Sequence, residues 1–396
     1  MKKLIALLAA ILLSSAAFGQ SSAAPPVINA ASAILIEMET DTILFEKNAD
    51  EVIPPASMTK LMTIHIALNF IEDREMSADS LVPVSDRADF RNSPPRSSLM
   101  FIEEGQKVSI MELLTGLALP SGNDAGIAVA EFVAGSVPDF VELMNIEAQR
   151  LGLEHTHFDD SSGYSENNKT TAREYATFCS FYLNEHPEAA RELHTLTSFT
   201  YPKDHNLPLN GSSVHGPITQ PNHNLLIGRM AGVDGLKTGY IDESGYNLAA
   251  SAEFDGRRFI LVTMGGPGGS SRDGSLRRLI DGAALFSYGF YGWTTLTPEV
   301  PKDSTLRIWG GEKDELKLTF SPAEKLTVPS ISSAGLDFHA EWNKLAYPIE
   351  AGSKAGIWKL TDRDGRVFQT GTITAAETVE EGNIFKRIID RFRRTE

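Results

Sequence analysis

The sequence predicts an α/β domain followed by a small all-β domain and a terminal amphipathic helix. Helical and strand patterns alternate from residue 30 to about residue 292. Short apolar runs separated by Gly, Pro and Asp continue to about residue 381, which is typical of strands and turns. The remaining residues carry apolar side chains on one helical face. A chain of 396 residues is too long for one compact core, so more than one domain is expected.

Composition and charge exclude several classes of protein. The chain is 42% hydrophobic and 22% charged, which excludes disordered and collagen-like chains. Its formal net charge of −16 argues against nucleic acid as a partner, because an acidic surface repels phosphate backbones. The single cysteine, Cys179, excludes an internal disulfide and a cysteine-rich metal site, and its apolar neighbours predict a place in the core.

Residues 1–24 have the layout of a secretory signal peptide. Lys2 and Lys3 precede an apolar run over residues 4–13, and small residues follow it. This run is about half as long as the roughly 20 residues that span a bilayer. We therefore expect an exported protein, with cleavage between residues 19 and 24.

Periodicity predicts the elements of the α/β domain, residues 25–292. Apolar residues at helical spacing after Pro54 and Pro55 predict a helix, because prolines favour its first turn. Further on, Asp255-Gly256 predicts a tight turn between two strands. In chain order we expect a hairpin (33–38 and 42–45), four helices (58–70, 111–119, 125–133 and 173–183), two strands (247–252 and 258–265) and a closing helix (275–288).

Two segments follow this domain. Residues 293–382 predict a β-sandwich-like domain, with a turn at 362–365 between two strands. Residues 383–396 predict a basic helix, and on an acidic protein such a helix is typical of attachment to an anionic membrane surface. The alternative is a helix that caps the β domain and buries its apolar face there. The residues on that face are Ile384, Phe385, Ile388, Ile389 and Phe392.

Three short motifs carry the chemistry, and the first is Ser57-Met58-Thr59-Lys60. Residues three apart on a helix share one face, with about 5–6 Å between Cβ atoms. The Lys60 amine can then take the Ser57 hydroxyl proton, if burial or a nearby cation lowers its pKa. The helix N-terminus offers free N–H groups, which suits an oxyanion. Such a pair by itself also arises by chance.

The second motif, Ser121-Gly122-Asn123, precedes a predicted helix. Ser121 can relay a proton between Lys60 and a leaving group, and the Asn123 amide can hold a peptide carbonyl. Taken alone, the motif is more typical of a helix cap, because Ser and Asn favour that position.

The third motif, Lys237-Thr238-Gly239, lies in a predicted strand. A second lysine facing the site would lower the pKa of Lys60 and attract a carboxylate. Gly239 lets a substrate backbone approach closely, and the N–H of Tyr240 can be a second oxyanion donor. The occurrence of all three motifs in this order is improbable by chance.

With these motifs the sequence resembles the penicillin-recognising serine enzymes, and above all the low-molecular-mass D-alanyl-D-alanine carboxypeptidases. Similar stretches include PPASMTKLMT, PSGNDAGIAVAEFVAGS and GVDGLKTGY, and the resemblance covers nearly the whole mature chain. It implies a β-lactamase-like catalytic domain with a central antiparallel sheet flanked by helices. It also implies a periplasmic enzyme that removes the terminal D-Ala from peptidoglycan stem pentapeptides and is acylated by β-lactam antibiotics.

The resemblance assigns roles to residues and implies no cofactor and no metal. Ser57 would be the nucleophile that forms an acyl-enzyme, Lys60 its proton acceptor and Ser121 the proton relay. Arg272 stands in the place of an arginine that helps to bind the terminal carboxylate. The residues expected to bind substrate are Asn123, Lys237, Thr238, Gly239, Tyr240 and Arg272.

The motifs leave three alternatives open. A DD-endopeptidase uses the same machinery. A β-lactamase needs an activated water for deacylation, and Glu166 stands in a sequence context that differs from the known motif. A non-catalytic peptidoglycan-binding scaffold would have no need to keep Ser57, Lys60, Ser121 and Lys237 together. For location, we expect attachment to the periplasmic side of the inner membrane through residues 383–396.

Overall fold

The computed structural model describes residues 24–207, 213–333 and 335–393. The signal peptide predicted for residues 1–24 lies outside these residues, except for Ala24. The described chain divides into two compact units, one covering Pro25–Phe290 and one that begins at Tyr291. The sequence placed this boundary two residues later, after residue 292.

The first unit contains a five-stranded antiparallel sheet in the order β2-β1-β9-β8-β7. The pairs β3–β4 and β5–β6 form two short sheets beside it. The predicted first hairpin and the turn at Asp255-Gly256 are confirmed. The strands are β1 (Ser32–Glu37), β2 (Thr42–Lys47), β3 (Leu81–Val82), β4 (Val108–Ser109), β5 (Ser198–Tyr201), β6 (Ile218–Pro221), β7 (Val233–Ile241), β8 (Gly245–Phe254) and β9 (Arg257–Gly266).

The helices of this unit include all those predicted, with ends shifted by a few residues, and two that were not predicted, α4 and the single turn α6. The start of α4 carries ordinary helix signals, because Ser136 caps its N-terminus and a proline stands in its first turn. The helices are α1 (Lys60–Asp73), α2 (Ile110–Ala118), α3 (Asn123–Ala134), α4 (Val137–Arg150), α5 (Ala172–Glu185), α6 (Pro187–Ala189) and α7 (Ser271–Gly292). Single 3-10 turns lie at Ala56–Thr59, Asp86–Ala88, Phe90–Asn92 and Asp204–Asn206, and one π turn lies at Ala190–His194.

Helices cover both faces of the central sheet. Neighbouring residues of a strand point to opposite faces, so Leu35 meets α7 whereas Ile34 joins the core that the other helices share. Glycines let α7 lie close to the strands, since a Cβ at Gly289 would be 3.1 Å from Leu35 and one at Gly282 3.2 Å from Leu248. Burial on both faces explains why β1 and the middle of β9 are almost continuously apolar. Cys179 is buried in this core, as predicted.

The second unit contains a five-stranded antiparallel sheet in the order β11-β12-β16-β15-β14 and the strand pair β10–β13. Trp358 is 1% exposed in its core and packs on Gly371, where a Cβ would lie 2.2 Å from the indole. The predicted turn at 362–365 joins β15 to β16. The elements are β10 (Trp293–Leu296), β11 (Asp303–Arg307), β12 (Glu315–Phe320), β13 (Leu326–Pro329), α8 (Ser330–Ser333), β14 (Asp337–Trp342), β15 (Lys354–Thr361) and β16 (Val367–Ala375).

The last described element is helix α9 (Ile384–Arg393), which contacts the β domain through its polar face. The Lys386 amine donates to Asp314 at 2.5 Å, and the Gly310 N–H donates to the buried Asp390 carboxylate at 2.9 Å. The five predicted apolar residues are between 49% and 75% exposed, so the helix does not bury this face on the β domain. In the described ranges, no helix has the length and apolar character needed to cross a membrane.

Asp281 on α7 fixes the start of the first unit, and its substitution tests this role. Its carboxylate accepts from the Asn29 and Ala30 N–H groups at 3.0 and 2.9 Å and is 2% exposed. We expect Asp281→Asn to lower the free energy of unfolding by about 2 kcal/mol, because an amide NH₂ would face those donors. Urea-induced unfolding measures this. Asp273→Asn, on the same helix with a 42% exposed side chain, is the control, and an equal effect of both would contradict the assignment.

Candidate active site

The turn that carries Ser57 lies directly before α1. Ala56 has φ +52°, a left-handed conformation that is strained for a residue with a side chain. Buried neighbours hold this turn, since the Tyr175 hydroxyl donates to Met58 O at 2.5 Å and the Asn247 amide donates to Pro54 O at 2.9 Å. As a result, Ser57 stays partly exposed at the bottom of a cleft.

Lys60 is fully buried beside the Ser57 hydroxyl. Its amine donates to Ser57 Oγ at 2.9 Å, to Asn123 Oδ1 at 2.7 Å and to Ser162 O at 2.5 Å. These three acceptors match the three N–H donors of an ammonium. The first two motifs therefore meet at a single nitrogen atom, through a contact of Asn123 that was not predicted.

Burial lowers the pKa of Lys60 to about 7, against the opposing charges of Asp160 and Asp124. A neutral amine no longer needs three acceptors, and its lone pair can receive the Ser57 proton. Lys60 is thus poised as a base near neutral pH, which its ordinary pKa would not allow.

Ser121 lies in the wall of the same cleft and is 2% exposed. Its hydroxyl has no hydrogen-bond partner and its φ is +66°. A buried polar group without a partner costs free energy unless a ligand or water binds it, which points to contact with a substrate. The Asn123 amide is already engaged, because its Nδ2 donates to Ser97 Oγ at 3.1 Å.

The Lys237-Thr238-Gly239 motif lies on β7, an edge strand of the central sheet. Lys237 is 1% exposed, and its amine donates to Thr238 O at 3.2 Å. Burial lowers the pKa of Lys237 well below its ordinary value, and the positive charges of Lys60 and Arg278 act in the same direction. A second buried amine therefore lies close enough to Lys60 for the positive charge of Lys60 to lower its pKa.

Gly239 lines the cleft and also has a packing role that was not predicted. A Cβ there would lie 2.4 Å from Pro55 O and 3.2 Å from Met58 N. The glycine therefore lets β7 approach the turn that carries Ser57, and its role in the approach of a substrate stays a prediction. The reason is that the strand and the turn, far apart in sequence, pack directly against each other.

The cleft consists of two lobes that share Ser57, Arg96, Ser98 and Tyr240 in their linings. We call one the Arg278 lobe, which has a volume of about 320 Å³. Its lining includes Ser121, Thr238, Gly239, Tyr246, Ser275 and Arg278. The other is the Glu166 lobe, of about 450 Å³. Its lining includes Asn123, Tyr164, Glu166, Asn167, Asp242 and Glu243.

The arginine that lines the cleft is Arg278, six residues beyond the predicted Arg272. Arg272 is exposed near the start of α7 and lies outside both linings. The Arg278 guanidinium donates to Gly239 O at 3.3 Å and to Asn247 O at 3.2 Å. Burial lowers the pKa of Arg278 to about 10. The sequence contains no signal that Arg278 faces the cleft and Arg272 does not, because the rotation of α7 relative to β7 depends on tertiary packing.

Sequence analysis also missed two aspartates that support the cleft. Asp124 is fully buried and accepts from the Phe101 N–H at 2.7 Å and the Met100 N–H at 2.9 Å. Asp160 accepts from the Ser162 and Gly163 N–H groups at 2.6 Å each, which fixes the carbonyl that binds Lys60. The local pattern Asp-x-Ser-Gly at residue 160 favours such an Asx turn and was the available signal.

This geometry, a serine hydroxyl beside a buried lysine in a cleft, is typical of serine acyl-transfer enzymes, and the comparisons identify the family. Residues 19–268 match the family model described as D-alanyl-D-alanine carboxypeptidase, and the chain belongs to this family. It is 34% identical over 376 residues to D-alanyl-D-alanine carboxypeptidase DacD of Escherichia coli, covering 93% of this chain and 91% of that one.

Solved structures similar to this chain include the following two. The carboxypeptidase DacD from Francisella tularensis has a TM-score of 0.78 at 25% identity, covering 93% of this chain and 98% of that one. Penicillin-binding protein D2 from Listeria monocytogenes, in its cefotaxime-bound form, has a TM-score of 0.57 at 26% identity. It covers 67% of this chain and 99% of that one. The β-lactamase-like fold that the resemblance implied is thereby confirmed.

The contact at Gly239 generates a prediction. We expect Gly239→Ala to lower the second-order rate constant for acylation by benzylpenicillin at least ~100-fold, because the added methyl displaces β7 from Ser57. The control is Gly216→Ala, where a Cβ meets no atom within 4 Å. Near-normal acylation of a folded Gly239→Ala protein would show that the strand does not need this close approach.

Proposed function

We propose that Ser57 and Lys60 are the nucleophile and base with which this carboxypeptidase removes the terminal D-Ala of peptidoglycan stem pentapeptides. The observation that carries the proposal is the 2.9 Å contact between Lys60 Nζ and Ser57 Oγ inside the cleft. Membership of the D-alanyl-D-alanine carboxypeptidase family supports the substrate class.

Acylation begins when neutral Lys60 takes the Ser57 proton and Oγ attacks the carbonyl carbon of the D-Ala–D-Ala bond. The N–H groups of Ser57 and Tyr240 stabilise the oxyanion. The C–N bond then breaks, and the proton passes from Lys60 through Ser121 to the amine of the leaving D-Ala. Water hydrolyses the resulting ester and restores the Ser57 hydroxyl.

The terminal carboxylate of the substrate binds in the Arg278 lobe. Arg278 supplies positive charge and Thr238 a hydrogen-bond donor there, and none of the residues that line this lobe is acidic. Arg278 is a better candidate than Arg272, because Arg272 lies outside the lining. The acyl part of the peptide extends along the end of β7 into the Glu166 lobe, beside Asn123.

β-Lactams acylate Ser57 by the same route. The Listeria relative was solved with cefotaxime bound, which supports a similar reaction here. Glu166 gives a second candidate function some support, because its side chain lines the same lobe as Ser57 and a carboxylate there can activate water. If Glu166 does so efficiently, the protein hydrolyses β-lactams. The persistence of the acyl-enzyme separates the two functions.

The low pKa of Lys60 predicts the pH dependence of D-Ala release from a soluble pentapeptide. The reaction needs the neutral amine, so kcat/KM rises about tenfold per pH unit below pH 7 and levels off above it. Amino-acid analysis of released D-Ala over pH 5–9 measures this. Lys60→Arg should abolish release, since arginine stays charged. A flat profile across pH 7 would contradict the role of Lys60.

We propose that α9 attaches the protein to the periplasmic side of the inner membrane. Its exposed apolar residues form one face, and its basic residues suit an anionic surface, where each contributes about 1 kcal/mol. Contacts through Lys386 and Asp390 hold the opposite face on the β domain, which leaves the apolar face available to lipid.

Vesicle flotation tests this attachment. We expect the protein to bind phosphatidylglycerol vesicles, and Phe385→Glu with Ile388→Glu to weaken binding at least ~10-fold, because the variant places charge on the face that enters lipid. The control changes Ile331 and Val367 to Glu, which are also exposed but lie outside α9. Equal binding by both double variants would contradict the proposal.

A further inference from the structure

Arg96, Asp242 and Tyr240 form a polar bridge across the cleft. The Arg96 guanidinium contacts Asp242 Oδ2 at 2.8 Å, and the Tyr240 hydroxyl donates to Asp242 Oδ1 at 2.7 Å. Arg96 belongs to the loop before β4, whereas Asp242 follows β7 directly. The bridge therefore joins the two walls between which Ser57 lies.

Both ends of the bridge are fixed to the catalytic motifs. On one side, Ser97 and Ser98 bind Asn123, through Asn123 Nδ2 to Ser97 Oγ at 3.1 Å and Asn123 N to Ser98 O at 2.8 Å. Arg96 itself has φ +65°, so its backbone is held in a left-handed conformation beside these contacts. On the other side, Tyr240 is the residue directly after Gly239. The bridge thus has a defined position relative to Ser57.

The bridge stands where the two lobes meet. Arg96 and Tyr240 line both lobes, as Ser57 does, and Asp242 lines the Glu166 lobe. A ligand with its carboxylate in the Arg278 lobe and its carbonyl at Ser57 continues into the Glu166 lobe past this bridge. A chain that is wide on this side of the reacting carbonyl has to pass the Arg96 guanidinium, because Arg96 lines both lobes.

We infer that Arg96 is a specificity-determining residue, which disfavours ligands that are wide on the acyl side of the reacting carbonyl. The inference rests on the proposed function in one respect, the acylation of Ser57. The selection is moderate, because Arg96 and Asp242 have side chains that are 83% and 55% exposed, and such ion pairs open at little cost. A wide ligand therefore reacts more slowly and is not excluded.

The experiment compares two penicillins with the same ring system and the same charge. Benzylpenicillin has a slender side chain, and piperacillin is branched next to the amide. The readout is the ratio of their second-order rate constants for acylation of Ser57, followed by intact mass of the full chain. The variants are Arg96→Asn, since asparagine tolerates a left-handed φ, and Asp242→Asn, which frees Arg96 without changing the shape of its partner.

We expect each variant to raise the rate constant for piperacillin by about threefold to fivefold relative to that for benzylpenicillin, the range that a weak exposed ion pair implies. The double variant should gain no more than the better single variant, because both remove the same pair. If Arg96→Asn does not fold, the comparison of Asp242→Asn with wild type is sufficient to test the inference. The matched control is Arg191→Asn, which removes an exposed ion pair with Glu188 outside the cleft linings.

Acylation by both drugs with an unchanged ratio in the variants would overturn the inference and leave the proposed function intact. A similar shift in Arg191→Asn would also overturn it, because the effect would then not belong to the bridge. Absence of any adduct on Ser57 in the wild type would overturn the proposed function together with the inference.

Discussion

The structure depends on one constraint, which is to keep an amine buried beside a serine hydroxyl without a carboxylate in direct contact. Lys60 is fully buried and its three hydrogen-bond acceptors are neutral oxygens. A carboxylate in contact would stabilise the ammonium and remove the base. Two acidic groups, Asp160 and Asp124, act on Lys60 through their charge. Their carboxylates accept hydrogen bonds from backbone N–H groups instead of from the Lys60 amine. Their charge limits how far the pKa falls, so it settles at about 7.

The Lys60–Ser57 pair lies between two walls of the cleft, and the other cleft residues belong to these walls. Gly239 brings the edge strand β7 against the turn that carries Ser57, and with it a second buried amine, Lys237. The wall that holds Ser121 and Asn123 supplies one acceptor for Lys60 and one hydroxyl without a partner. The charges then differ between the lobes, since Arg278 lines one while Glu166 and Glu243 line the other. This asymmetry gives a peptide with a free carboxylate a preferred direction in the cleft.

The sequence predicted the features of the structure that depend on local residue patterns and on the order of the motifs. The strands of the central sheet, most helices, the meeting of Ser57, Lys60 and Asn123, and the β domain all follow from periodicity, turn residues or resemblance.

The sequence could not predict the features that depend on tertiary packing. Arg278 replaces Arg272 in the cleft because only the packing of α7 decides which side of the helix faces β7. The close contact behind Gly239 and the Arg96–Asp242 pair join residues more than 140 positions apart, and no local signal encodes them. Helix α4 is a different case, because its cap residue Ser136 and a proline in its first turn are local signals that the sequence does contain.

The most direct test of the central claim is the intact mass of the protein after incubation with benzylpenicillin, for wild type and Ser57→Ala. The account predicts a persistent adduct of one drug molecule on wild type, located by peptide mapping on Ser57, and none on the variant. An adduct that forms and disappears within seconds, with the drug hydrolysed, would show a β-lactamase instead. An adduct on another residue, or equal adducts on wild type and variant, would contradict the claim that the serine beside the buried amine is the nucleophile.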